Sequence, residues 1–79
     1  MPTVQRFDRC RIEMYFGDHP PPHFHAITRG DERVAVRIDT LEVWAGEADP
    51  RDLAEALAWA ADHRDELWAR WRAYSEVDT

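Results

Sequence analysis

Hydrophobic and polar residues alternate through the first half of the chain, and the period then changes. In residues 9–16, Ile12, Met14 and Phe16 fall on one side and Arg11, Glu13 and Tyr15 on the other. This is the period-two signature of a half-buried strand. Residues 23–29 alternate again, and in residues 33–39 Val34, Val36 and Ile38 repeat the pattern. Short extended segments at 4–7 and 41–44 complete the set, with turn signals at Gly17-Asp18 and Gly30-Asp31-Glu32 between strands. From Asp49 the spacing becomes helical. Asp49-Pro50 supplies an N-cap followed by a proline in the first helical position. Leu53, Leu57 and Ala60 then share a face, with Ala56 and Trp59 beside it. Asp62 is a candidate second cap, since Asp65 and Glu66 lie in the following turn, where the helix dipole favours acids. Leu67, Trp68 and Trp71 make a new apolar stripe. The spacing predicts helices over 50–61 and 63–75, one kinked helix being the alternative. The polar tail after Tyr74 is expected to fray.

These elements predict an α+β fold with a small antiparallel sheet of three to four strands, one face covered by two C-terminal helices. The 79 residues form a single domain on this reading. The covered face collects Ile12, Met14, Phe16, Phe24, Ala26, Val34, Val36 and Ile38. The opposite, open face carries His23 and His25 beside Arg11, Glu13, Tyr15, Ile27, Arg33 and Arg37.

Composition narrows the partners. The net charge of −6 argues against coating nucleic acid by bulk electrostatics. Residues 1–40 are balanced at six arginines and six acids, whereas residues 41–79 carry four and ten. No lysine occurs, and arginine's planar fork suits carboxylate or phosphate, although a GC-rich genome produces the same bias. Cys10 is the only cysteine, which excludes an intrachain disulfide and a four-thiolate zinc site and fits a reducing cytoplasm. No apolar run approaches the roughly 20 residues of a membrane span. A cytoplasmic protein with no membrane partner is expected.

Chemistry concentrates in Asp18-His19-Pro20-Pro21-Pro22-His23-Phe24-His25, which holds three of the four histidines. Three prolines stiffen this turn and remove three amide donors. With the Arg-Ile-Glu-Met-Tyr-Phe strand and the later Ala-Asp-His-Arg-Asp-Glu-Leu-Trp-Ala-Arg-Trp stretch, the motif resembles the small bacterial domain-of-unknown-function family DUF4160 over essentially the whole chain. One departure is Asp8-Arg9-Cys10, where that family has a glycine-rich turn. The resemblance implies a stand-alone protein encoded beside a second small protein, in an arrangement like a toxin–antitoxin pair. It carries over no catalytic residue.

Three roles suit these residues. His23 and His25 share a strand face that His19 can reach. Three imidazoles, or two with Asp18 or Glu13, would hold zinc or another borderline divalent metal. The blander role for Asp18 and His19 is to tie off the turn. RNA cleavage without metal needs a base (Glu13 or His23), an acid (His25), cations for the phosphate (Arg11, Arg33 or Arg37) and Tyr15 to stack or donate. A docking face for a cognate antitoxin-like protein, itself a candidate DNA-binding protein, needs no chemistry, and a dimer is equally open. His63 is expected only to cap or face solvent. The expectation is a toxin-like component acting through His23, His25, Glu13, Arg11 and Tyr15, with Arg33, Arg37, Asp18 and His19 in binding, and RNA as substrate if it is an enzyme. No cofactor is required on that view, a divalent metal being the open option. The alternative is a non-catalytic metal-binding or partner-binding regulatory domain.

Overall fold

The computed structural model describes residues 3–75. It is an α+β fold built on a five-stranded antiparallel meander, with strands β1 (Thr3–Arg6), β2 (Cys10–Glu13), β3 (His23–Thr28), β4 (Arg33–Arg37) and β5 (Val43–Ala45) adjacent in chain order. Helices α1 (Pro50–Asp62) and α2 (Arg64–Ser75) follow. The fifth strand exceeds the expected three or four. It is three residues long and exposed throughout, so it carries no buried stripe to announce it. The helices are separate, divided at His63, whose backbone N–H donates to the Ala60 carbonyl. The His63 ring stacks on Trp59 at 4.1 Å, and its Nδ1–H donates to the Trp59 carbonyl at 2.7 Å. This is the capping role expected of it. Asp62 closes α1 and does not cap α2. The tail at 76–79 lies outside the described residues.

The covered face matches the alternation with one exception. Ile12, Met14, Phe24, Ala26, Val34, Val36 and Ile38 are buried together with Leu53, Ala56, Ala60 and Leu67. Each large side chain so buried contributes about 1.5–3 kcal/mol before chain entropy is subtracted. Ala56 and Ala60 are the buried small residues on the sheet-facing side of α1, and they let the helix backbone lie close to β2 and β3. Cys10 is sealed in the same layer, and burial pushes its thiol pKa up.

Phe16 is the exception. Extending the period of β2 puts it in the core, yet it is 62% exposed. The strand ends at Glu13, and Gly17 adopts φ +71, which swings the chain out of register. Phe16 instead lies against the Tyr74 ring at 4.3 Å, while the Gly17 N–H donates to the Tyr74 carbonyl. The end of α2 is thereby fastened beside the proline turn.

Asp49 caps α1 as expected, accepting from the Arg51 N–H at 2.9 Å. Its carboxylate also pairs with the Arg51 guanidinium, and these bonds hold its pKa at about 2. A folded-state value below the ordinary 3.8 stabilises the fold above that pH, and the benefit disappears as pH falls through about 2. Asp49→Asn keeps a capping oxygen but loses the charge. It is expected to lower Tm by no more than about 3 °C at neutral pH, because the pair is exposed. Thermal scans from pH 7 to pH 2 should show that gap closing at the acid end.

Candidate functional site

The site forms where β3 leaves the proline turn. Asp18 follows Gly17, and its Oδ1 accepts from the His19 N–H at 2.9 Å, which directs Oδ2 inward. That single oxygen faces two imidazoles, His23 Nε2 at 3.1 Å and His25 Nε2 at 3.3 Å. One ligand atom each from Asp18, His23 and His25 lies within 4.8 Å of the others. Ligands bonded at 2.0–2.1 Å to a tetrahedral or octahedral cation sit about 2.9–3.4 Å apart, so both carboxylate–imidazole distances fit coordination.

The proton positions sharpen this geometry. His23 Nδ1 lies 2.6 Å from the Pro21 carbonyl oxygen and must therefore donate to it. A neutral His23 then points a bare Nε2 lone pair at the Asp18 carboxylate. Only a second proton on that ring or a bound cation removes the repulsion. His25 is held differently, for its Nε2 can donate to Asp18 while its Nδ1 is buried with no partner among the described residues. Burial lowers the His25 pKa, and the neighbouring His23 and Arg33 charges act in the same direction, against the Asp18 hydrogen bond. Burial alone would raise the Asp18 pKa. The hydrogen bonds from His25 and the His19 backbone, with the charges of both histidines, bring it below the ordinary value.

His23 and His25 do share a face, as the alternation requires, but that face is not open at His23. The Trp44 ring from β5 and the Trp71 ring from α2 stand 5.2 and 5.3 Å from the imidazole, and the His23 side chain is 1% exposed. The sequence pattern missed both tryptophans, which come from elements remote in the chain; their number was the only signal. Ile27 and Glu13, also placed on the open face, are buried too. His19 stays at the rim, 72% exposed, its Nδ1–H donating to the Pro20 carbonyl and its Nε2 3.9 Å from Asp18.

A second polar cluster adjoins the first. Glu13 accepts from the Tyr15 hydroxyl and from Arg11 Nε, the latter at 2.7 Å, and Arg33 donates to the Tyr15 oxygen at 2.7 Å. Burial pushes the Glu13 pKa up, but these bonds and the two arginine charges leave it lowered. Burial and Glu13 together raise the Tyr15 pKa. The Tyr15 ring meets the His25 ring at 5.1 Å, joining the clusters. Arg37 joins neither, because Asp39 two residues on takes its guanidinium in two hydrogen bonds of 3.0 and 2.7 Å.

No helix among the described residues is long and apolar enough to cross a membrane. A search of curated proteins and a search of solved structures each return no match. A protein-family model described as a domain of unknown function, DUF4160, matches residues 10–72, a span that runs from β2 to the penultimate turn of α2 and includes the whole histidine turn. With most of its length covered, the chain belongs to the DUF4160 family.

Proposed function

We propose that this protein is a divalent-metal-binding component of a small two-protein, toxin–antitoxin-type module, with the cation held by Asp18, His23 and His25. The observation that carries the proposal is the convergence of two imidazole Nε2 atoms on one carboxylate oxygen, with His23 Nδ1 committed to the Pro21 carbonyl. A ligating histidine characteristically donates its other N–H to a carbonyl, as His23 Nδ1 does to Pro21, whereas His25 Nδ1 has no such partner among the described residues. Two imidazoles and a carboxylate suit zinc, iron(II) or nickel and leave coordination positions open. Membership of the family, with the gene arrangement that the resemblance implies, supports the two-protein context.

The test uses tag-free protein, dialysed and then titrated with Zn²⁺ by calorimetry. One equivalent is expected to bind and to raise Tm. A dialysed protein that takes up no metal, and whose melting is indifferent to metal and chelator, would exclude the proposal. Histidine ring ¹⁵N spectra separate the two ways of satisfying His23, since without metal a doubly protonated ring marks a charged pair with Asp18.

Cleavage of RNA by the protein's own acid and base groups is the second reading. The contact between Tyr15 and His25, beside a half-exposed Arg33, favours it. His23 is too buried to meet a substrate directly, so His25 is the imidazole that such a mechanism would use. Expression of the wild type and of His25→Ala in cells, with growth and RNA integrity followed, checks this reading. Equal growth and intact RNA in both would remove it.

A further inference from the structure

A cation on Asp18, His23 and His25 cannot offer its open positions toward His23, where Trp44 and Trp71 stand against the imidazole. Access lies on the His25 side, where that side chain is 19% exposed. The register continues the surface from there. His25 pairs with Ala35, and Ile27 pairs with Arg33, so Arg33 is the diagonal neighbour of His25 across β3 and β4. Such neighbours stand about 7–8 Å apart at Cα, within reach of an arginine. Arg33 is half-exposed and spends only Nη1 on Tyr15, so its Nη2 and Nε make no hydrogen bond among the described residues.

Charge favours the same ligand class. Glu13 sets one negative charge against two arginines, Arg11 through a hydrogen bond and Arg33 with Nη1 at 4.0 Å, so the cluster keeps one positive charge in surplus. A divalent cation on one carboxylate and two neutral imidazoles adds another net positive charge. We propose that the cation and Arg33 together bind a phosphoryl oxyanion, one oxygen entering an open metal position and a second accepting from the guanidinium. This deepens the metal assignment and rests on it. A guanidinium fork and a Lewis acid are the two groups that suit a tetrahedral anion. Tyr15, hydrogen-bonded to Arg33 and in ring contact with His25, holds the guanidinium on the His25 side of the cluster.

Co²⁺ serves as the probe metal because its visible absorption bands report changes in coordination. Co²⁺-loaded protein is titrated with inorganic phosphate and, separately, with a ribodinucleotide carrying one phosphodiester. Phosphate or dinucleotide is expected to change the bands, and whichever binds more tightly distinguishes the free anion from a nucleic-acid backbone. Arg33→Gln is expected to weaken that binding by about tenfold or more while leaving Co²⁺ affinity within about twofold. Unchanged bands with Co²⁺ bound, or equal anion affinity in Arg33→Gln, would overturn the oxyanion site and leave the metal site standing. Failure of the wild type to bind Co²⁺ would overturn both. Arg33 is half-exposed, and melting of the variant in the absence of metal confirms that it folds.

Discussion

Asp18→Asn is expected to weaken Zn²⁺ binding by at least about a hundredfold and to lower the Tm of the metal-free protein by less than about 10 °C, because the lowered Asp18 pKa means that its charge adds some stability of its own. The two effects have one origin. Asp18 Oδ2 is the atom shared by His23 and His25, so removing its charge removes a ligand and the field that draws a cation between the rings. Changing even a residue that only orients a ligand costs roughly 10–100-fold in affinity, and losing a ligand costs more. In the metal-free protein the asparagine amide can donate to His23 Nε2, but an NH2 in place of Oδ2 no longer accepts from His25 Nε2, so one hydrogen bond is exchanged for another and the charge is lost. Zn²⁺ at one hundred times its Kd stabilises by about 2.7 kcal/mol, roughly 10–20 °C in Tm for a domain of this size. The wild type should show that rise and Asp18→Asn should not. A drop of more than about 10 °C in metal-free Asp18→Asn would point the other way. Breaking a partly buried imidazolium–carboxylate pair is strongly destabilising, and that result would make Asp18 and His23 a structural ion pair.

The largest loss of stability outside the core is expected at Gly46. Its φ is +84, a region that costs a residue with a side chain about 1–2 kcal/mol. A Cβ there would also overlap the Arg33 carbonyl oxygen and lie 3.1 Å from Val34 Cα. Both obstacles are backbone atoms of the adjoining strand, so no rotamer change relieves them. Gly46→Ala therefore has to push β5 off β4, for a total near 3 kcal/mol or more. Against the roughly 4–12 kcal/mol expected of a 79-residue domain, that predicts a fall in Tm of about 15 °C or more. Moving β5 also withdraws Trp44 from His23, so metal affinity should fall although no ligand is touched. Calorimetric melting and Zn²⁺ titration of the variant check both effects. A wild-type Tm would mean that the Gly46 turn is not held against β4 as described.

Local periodicity was enough to place most of the framework. Val34, Val36 and Ile38 alternate strictly, as do Phe24 and Ala26, and all are buried where the pattern puts them. The Asp49 cap was equally legible, because it depends on residues next to one another in the chain, while the helix break was met within a residue although Asp62, the expected second cap, ends α1. What escaped depends on geometry that a period cannot carry. Phe16 keeps the alternation of β2, but Gly17 turns the backbone before the pattern can be honoured. Arg37 has the right parity for the site, yet an acid two residues away captures it. His23 and His25 were correctly put on one face. That His23 is closed in by Trp44 and Trp71 follows from how β5 and α2 dock, which no local spacing encodes.

The closing of His23 by Trp44 and Trp71 also bears on biosynthesis. The three polar residues of the site lie within eight consecutive positions, but the wall that dries it includes Trp71 of α2, 46 positions after His25. A chain synthesised only through β3 holds Asp18, His23 and His25 without that wall. The dry side of the site therefore exists only once α2 has docked, which ties it to completion of the fold and not to its own stretch of sequence.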